Sequence, residues 1–165
     1  MEIREAREAD AGALLLHLKT VGGETDNLTF GAEGFNISAE KEGRFISRFQ
    51  RNSDEIMLVG IIDGIIVANG VIERERIRRL SHRARLTLTV MRDFWGRGIG
   101  SRLMEMMIDF CRDSGAEIIY LECREDNFRA INLYKKYGFT ESGRLRKYFK
   151  INDEYHDALI MELPL

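Results

Sequence analysis

Alternating glycines mark the segment of the chain with the clearest potential for chemistry. Gly96, Gly98 and Gly100 follow a strand-like segment and stand where an amphipathic helix begins. The first turn of a helix leaves backbone N–H groups unpaired, and the helix dipole favours negative charge there. Glycine also lets the backbone approach a ligand closely because no Cβ intervenes. The segment is therefore a candidate site for a phosphate or pyrophosphate group, with a simple tight connection as the alternative.

Two familiar phosphate-binding templates do not fit this segment. A dinucleotide fingerprint requires glycine at the position of Leu103, and a Walker loop requires a terminal Gly-Lys-Ser or Gly-Lys-Thr. A second cluster, residues 127–139, strengthens the interpretation because its helical spacing brings polar and aromatic groups together, and Gly138 is placed to end the helix. The residues on one face of this helix are Asn127, Ala130, Tyr134 and Tyr137.

Together the two clusters resemble the GCN5-related N-acetyltransferase (GNAT) superfamily. Its acyl-CoA loop has the pattern Gln/Arg-x-x-Gly-x-Gly/Ala, which corresponds here to residues 95–100, with Trp95 in place of Gln or Arg. Its later helix has the pattern Asn-x-x-Ala-x-x-Leu-Tyr-x-x-x-Gly-Phe, and residues 127–139 match every fixed position. The resemblance extends over essentially the whole chain in the order of elements. At Trp95 it predicts a packing role rather than a contact with the ligand.

The resemblance implies acetyl-CoA as co-substrate and no metal. The backbone amides of residues 96–101 would hold the CoA pyrophosphate. The backbone of residues 88–90 would bond the pantetheine arm and polarise the acetyl carbonyl, which requires this strand to splay from its neighbour. The cofactor-binding residues implied in this way are Leu88, Thr89, Val90, Gly96, Arg97, Gly98, Ile99, Gly100, Ser101 and Asn127.

Proton transfer is assigned to Tyr134 and Glu122. By resemblance, Tyr134 would protonate the departing thiolate of CoA, with a core tyrosine as the alternative. Deprotonating the acceptor at pH 7 costs roughly 4 to 5 kcal/mol for a lysine-like amine but only about 1 for an α-amine. Glu122 lies five residues before Asn127, where the bacterial branch that acetylates the N-terminal alanine of a ribosomal protein has its proton acceptor. An ion pair with Arg124 or a cross-strand arginine is the alternative for Glu122.

The acceptor side is defined less sharply by the sequence. Glu24, Glu73 or a water molecule remain alternative bases. Residues 22–36 have the composition of an ordered loop, and loops in this position shape the acceptor pocket in the superfamily. Glu24, Thr25 and Asp26 are therefore candidates for recognising an amine, with local turn chemistry as the alternative. A protein N-terminus, a polyamine, an antibiotic and a small amine or amino acid all stay open as acceptors.

The elements that must position these groups follow from alternating strand and helix periodicity. Strands are predicted at residues 2–6, 55–62, 65–72, 85–91, 117–123, 144–151 and 155–162, and helices at 10–21, 38–51, from about 101, and at 127–137. Gly22 and Gly23 are predicted to stop the first helix. With the resemblance, this order indicates an α/β (α+β) fold: one GNAT-like domain over residues 1–165, with a mixed, mostly antiparallel sheet of about seven strands and about four helices.

Composition limits the classes of function. The chain has 165 residues, 44% of them hydrophobic, with 25 Lys+Arg against 27 Asp+Glu, and can bury about two thirds of its unfolded surface. The net charge of −2 argues against a nucleic-acid partner, although Arg74 to Arg85 contain a basic run of open role. Short apolar runs and the absence of a signal peptide predict a cytoplasmic protein without membrane contact. Cys111 and Cys123 are expected to be reduced and buried.

These observations predict an acetyl-CoA-dependent N-acetyltransferase that transfers acetyl to a primary amine by direct attack in a ternary complex. The expected partners are acetyl-CoA and an amine acceptor, either a small molecule or a protein N-terminus or lysine. A non-catalytic acyl-CoA-binding or sensing module is the alternative. The superfamily is compatible with a homodimer, although the sequence shows no self-complementary stripe.

Overall fold

A single mixed sheet with helices on both faces forms the structure, a computed structural model that describes residues 1–165. The strands are β1 (Glu2–Glu5), β2 (Ile56–Ile62), β3 (Ile65–Arg74), β4 (Arg83–Val90), β5 (Ile118–Arg124), β6 (Thr140–Ile151) and β7 (Glu154–Pro164). The α-helices are α1 (Ala11–Glu24), α2 (Ala39–Gln50), α3 (Ile99–Asp113) and α4 (Phe128–Lys136). The predicted fold class is confirmed. No helix is long and apolar enough to cross a membrane.

The middle of the sheet contains a gap between two strands. The strand order is β1-β2-β3-β4-β5-β7-β6, and every neighbouring pair is antiparallel except β4 and β5, which are parallel. The β4–β5 pairing covers only residues 83–85 and 118–120, although β4 continues to Val90 and β5 to Arg124. Beyond Arg85 the two strands therefore diverge. The splay that the family resemblance requires is present.

The two faces of the sheet bury separate cores. The larger core, of 22 buried residues, packs α3 and α4 against one face, and a core of 10 residues packs α1 and α2 against the other. Along β5, Leu121 and Cys123 belong to the larger core together with Tyr134. Because side chains alternate along a strand, Glu122 points to the opposite face, the one that carries α1 and α2. Tyr134 and Glu122 therefore approach the sheet from opposite sides.

The first helix does not stop at the glycine pair. It continues through Gly22 and Gly23 and ends at Glu24, so Glu24 is helical rather than part of a loop. A Cβ at Gly22 would lie 2.1 Å from the carbonyl oxygen of Gly31. Glycine at this position thus permits the following segment to pack directly on the helix, and packing outweighs its low helix propensity.

The basic run is divided between structural and exposed positions. Arg74 lies on β3, where its Nη2 donates to the Ser114 carbonyl at 2.7 Å, and Arg83 on β4 pairs with Glu162. Arg78 and Arg79 lie exposed in a short 3₁₀ turn. Next to the run is a wide depression of about 1010 Å³ with no hydrophobic residue in its lining. None of the predicted site residues lines this depression.

Both cysteines are free and buried, as the sequence indicates. Cys111 and Cys123 lie in the larger core. Burial raises the pKa of each thiol to about 12, so neither is a thiolate at neutral pH.

A buried histidine predicts a specific acid sensitivity. His17 is 1% exposed, and burial lowers its pKa from 6.5 to about 4. Between these values the unfolded chain binds the proton that the folded chain does not, so stability is complete above pH 6.5 and falls as the pH drops toward 4. The loss at pH 4 is about 3 kcal/mol. Urea unfolding at pH 7 and pH 4 should show this difference for the native protein and a smaller one for His17→Gln; equal differences would contradict it.

Candidate active site

A cleft of about 660 Å³ opens where β4 and β5 diverge. Its walls come from the end of α1, the second half of β4, the start of α3 and the first turns of α4. The predicted site residues that line it are Glu24, Thr25, Leu88, Thr89, Val90, Gly96, Gly98, Ile99, Gly100, Ser101, Asn127 and Tyr134. The structure therefore brings the glycine segment and the tyrosine helix together at one site.

The start of α3 presents unpaired backbone donors to this cleft. The first backbone hydrogen bond of the helix runs from Arg102 N to Gly98 O at 3.0 Å, and the amides of residues 96–101 donate no hydrogen bond within the protein. Gly96 and Gly98 have φ values of 75° and 78°, and a Cβ at either would meet nothing within 4 Å. The surface in front of these amides is thus open and suited to an anion.

Gly100 has a different role from the two glycines before it. A Cβ at Gly100 would lie 3.4 Å from the Leu133 side chain and 3.7 Å from that of Leu88. These are ordinary van der Waals distances, so the position of Gly100 has room for a small side chain and lies against α4 and β4, which form walls of the cleft.

The open edge of β4 offers alternate residues to the cleft. The indole Nε1 of Trp95 donates to the Val90 carbonyl at 2.7 Å. The N–H and C=O of one strand residue point to the same side, so the amides of Val90 and Leu88 point into the splay. Thr89 lies opposite Asn69 in the β3–β4 ladder, and its backbone points toward β3. The backbone groups of Leu88 and Val90 therefore face the splay and those of Thr89 face β3, because strand geometry alternates. Donor binding by residues 88–90 stays a prediction.

Thr89 lines the cleft, and its side chain also contacts α1. Its Oγ1 lies 2.8 Å from His17 Nε2. The buried histidine thus ties the first helix to the strand that forms the cleft edge.

Trp95 does more than pack. Besides its hydrogen bond to Val90, its ring lies under the guanidinium of Arg129 at 4.7 Å, and both residues line the cleft. The Arg97 side chain, by contrast, lies over the Phe94 ring at 5.0 Å and does not line the cleft. The prediction that Arg97 contributes to this site therefore stands only for its backbone amide.

Asn127 closes the first turn of α4. Its Oδ1 accepts from Ala130 N at 3.3 Å, the arrangement of a helix N-cap. The side-chain NH₂ donates no hydrogen bond within the protein and remains available at the cleft wall.

Tyr134 reaches the cleft from the larger core. It is 8% exposed and packs against Phe139, with ring centroids 5.8 Å apart. Burial is the main cause that raises the pKa of its phenol, so the group keeps its proton at neutral pH. No hydrogen bond within the protein engages the hydroxyl, although it is not among the sealed, unpaired polar atoms. The structure thus leaves a protonated donor free at the cleft.

Glu122 does not line the cleft and lies on the other face of the sheet. Its Oε2 accepts from Arg85 Nη2 at 2.8 Å and from Arg85 Nε at 3.1 Å. The cross-strand arginine considered as an alternative partner is therefore present. Glu73, an alternative base, pairs with Arg48 at 2.9 Å.

The acceptor candidates Glu24, Thr25 and Asp26 all accept hydrogen bonds within the protein. Glu24 accepts from Arg92 N at 2.8 Å, and Thr25 Oγ1 accepts from Asn27 N at 3.2 Å. Asp26 does not line the cleft but lines an adjacent cavity of about 550 Å³, which shares Thr25 with it. The Asp26 carbonyl accepts from Arg124 Nη1 at 3.1 Å. Local turn bonding, considered as the alternative, therefore occurs for Thr25.

Sequence reasoning missed several residues of the cleft wall. Phe128 is 70% exposed at the start of α4, and Asn27 and Leu28 extend the wall from the first loop. Phe128 occupies a variable position of the α4 motif. The one sequence signal for its role at the cleft is an aromatic residue directly after the helix N-cap, Asn127. Asn27 and Leu28 depend on how the loop folds back, which the local pattern does not specify.

The fold, the glycine-rich helix start and the tyrosine helix define an acyltransferase-type site, and comparison with known proteins agrees. A model of the Acetyltransferase (GNAT) family matches residues 24–139. This match covers more than half of the chain, and the chain therefore belongs to the GNAT family of acetyltransferases.

Individual proteins show the same likeness. The chain is 40% identical over 106 residues, 63% of its length, to an L-amino acid N-acetyltransferase of Escherichia coli K12, and 40% identical over 73 residues, 44% of its length, to a ribosomal protein bS18-alanine N-acetyltransferase of Salmonella typhimurium. The matched segments span 65% and 49% of those two proteins. A GNAT acetyltransferase structure from Streptococcus pneumoniae is 26% identical, with a TM-score of 0.96 and 99% of each chain covered.

Proposed function

We propose that this protein is an acetyl-CoA-dependent N-acetyltransferase that acetylates a primary amine by direct attack in a ternary complex. The observation that carries the proposal is one cleft, beside the β4–β5 splay, that is lined both by the start of α3, where the amides are unpaired, and by Tyr134. An anion site, an open strand edge and a protonated phenol are the groups needed to bind an acyl-CoA thioester and release its thiol.

The chain's own groups fit the donor. The amides at the start of α3 would bind the pyrophosphate, where the helix dipole adds to the hydrogen bonds. The free amides of Leu88 and Val90 would bond the pantetheine arm as a neighbouring strand does. The Trp95 indole N–H donates to the Val90 carbonyl, and this hydrogen bond holds the strand edge in position. Asn127 offers its free side-chain NH₂ from another wall of the cleft.

The proposed reaction balances with two proton transfers. The acceptor enters as an ammonium group and gives one proton to Glu122, which passes it to solvent. The neutral amine then attacks the thioester carbonyl carbon, the N–C bond forms and the C–S bond breaks. Tyr134 protonates the departing thiolate, and the second proton lost by the nitrogen restores the phenol. The net products are the N-acetyl compound, CoA and one released proton.

Release of free CoA tests this function directly. Acetyl-CoA should release thiol in the presence of at least one class among free amino acids, peptides with a free α-amine, polyamines and aminoglycosides. The names of the two relatives specify an L-amino acid and an alanine of ribosomal protein bS18, so α-amines are expected first. Binding of acetyl-CoA without thiol release in any arm would favour the non-catalytic acyl-CoA-binding module.

The same assay tests Glu122 as the base. Glu122→Gln keeps a hydrogen-bonding side chain but cannot take a proton, so kcat at saturating amine should fall by about 10²-fold or more and lose its acidic limb. Glu73→Gln is the matched control, since Glu73 also pairs with an arginine on this face, and should keep both. An unchanged acidic limb in Glu122→Gln would move the base to Glu24, Glu73 or a water molecule.

A further inference from the structure

One ion pair lies at the apex of the splay, on the face opposite Tyr134. Arg85 lies opposite Tyr120, and this is the last paired position between β4 and β5. Glu122 lies two residues farther along β5, where the strands have separated. The pair is therefore at the point where an acceptor arriving from the α1–α2 face would meet the opening between the strands.

The hydrogen bonds of this pair leave one nitrogen of Arg85 and one oxygen of Glu122 without a partner. Both Arg85 donors, Nη2 and Nε, converge on the same oxygen, Glu122 Oε2. Arg85 Nη1 and Glu122 Oε1 make no hydrogen bond within the protein, and neither atom is sealed from solvent. The side chains are 41% and 21% exposed. One guanidinium nitrogen and one carboxylate oxygen of the pair are thus without a partner in the protein.

Other charged groups on this face are already matched. Arg83 pairs with Glu162 and Arg48 with Glu73, and the Tyr120 hydroxyl donates to Glu75. Arg124 pairs with Asp126 at 2.7 Å. The Arg85–Glu122 pair is therefore the partly exposed ion pair on this face that lies at the opening in the sheet.

The geometry points to a free α-amino acid as the acceptor, bound as a zwitterion by Arg85 and Glu122. A molecule with an ammonium and a carboxylate group on one carbon could bond both free atoms. Its carboxylate would accept from Arg85 Nη1, and its ammonium group would donate to Glu122 Oε1. Binding then places the amine on its proposed base and draws the guanidinium toward the substrate. This inference rests on the proposed acetyltransferase function and names the substrate class of that site.

The test compares alanine with alaninamide and an alanine-initiated dipeptide, which keep the α-amine but lack the adjacent carboxylate. Arg85→Gln should lower kcat/KM for alanine by about 10- to 100-fold, the range for a hydrogen bond to a charged group. Its effect on the amide and the dipeptide should stay within about three-fold, far below that range. Arg85→Lys should recover part of the alanine activity, and Arg83→Gln, two residues away on the same face, should leave both substrates unchanged.

Each outcome bears on the inference separately from the proposed function. An equal loss for alanine and alaninamide in Arg85→Gln would overturn it, because Arg85 would then act only on Glu122. Acetylation of the amide or dipeptide by the native protein without acetylation of any free amino acid would also overturn it while leaving the acetyltransferase function in place. If Arg85→Gln does not fold, Arg85→Lys replaces it in the test. A lower ratio of alanine to alaninamide activity in Arg85→Lys than in the native protein would support the inference, and an unchanged ratio would overturn it.

Discussion

Tyr134→Phe should lower kcat by about 10²- to 10⁴-fold while leaving acetyl-CoA binding unchanged. The substitution removes only the hydroxyl, which is the proposed proton donor to the leaving thiolate. The phenol is buried, and burial raises its pKa, so it is fully protonated when the thiolate departs. A thiolate that leaves without this proton must take one from water.

Binding and chemistry can be measured independently in this variant. The chain has one tryptophan, Trp95, and it lines the donor cleft, so its fluorescence should report acetyl-CoA binding. Tyr137→Phe, at the end of the same helix, is the matched control, because that hydroxyl already donates to Glu105 Oε1 at 2.7 Å. Its turnover should stay within a few-fold of the native value. Near-native turnover in Tyr134→Phe, with binding intact, would show that another group protonates the thiolate.

Gly98→Ala should raise the KM for acetyl-CoA by about 10-fold or more, a loss of about 1.4 kcal/mol in binding. Gly98 has φ 78°, and the added methyl group would project into open space in front of the unpaired amides. An L-residue in this left-handed conformation is strained by roughly 1 to 2 kcal/mol. The methyl group would therefore occupy the approach of the pyrophosphate, and the strain would displace the amides that bind it.

Gly64→Ala separates strain from the loss of the anion site. Gly64, in the β2–β3 turn, has the same φ of 78°, and a Cβ at this position would also meet nothing within 4 Å. Both variants should lose similar stability in urea unfolding, but only Gly98→Ala should weaken acetyl-CoA. An equal change in KM for the two variants would mean that the effect comes from general destabilisation.

Local sequence patterns were enough to predict the glycine segment and the tyrosine helix that line the cleft. Glycine spacing before a helix and the spacing of Asn127 and Tyr134 depend on a few consecutive residues, and their geometry follows from helix periodicity. The order of strands and helices along the chain was predictable for the same reason, since hydrophobic periodicity is local. The resemblance to the GNAT family then placed these parts in one fold, which the structure confirms.

The acceptor side depends on contacts between residues distant in sequence. Arg85 meets Glu122 only because β4 and β5 run parallel in one particular register, which neither strand specifies alone. The first helix passes through Gly22 because the backbone of Gly31 packs on it, so tertiary packing overrides the local stop signal. The β6 strand begins at Thr140 rather than at residue 144, because irregular pairing with β7 interrupts the alternation that marks a strand.

The splay between β4 and β5 divides the sheet into two blocks, β1 to β4 and β5 to β7. These blocks share a short run of ladder at residues 83–85, and elsewhere along this seam the helices bridge them. A thioester arm bonded to Leu88 and Val90 would act as an additional strand at the seam. In the proposed function the co-substrate would complete the backbone ladder on the β4 side of the gap. Donor binding would therefore stiffen the seam through which the acceptor must reach the thioester.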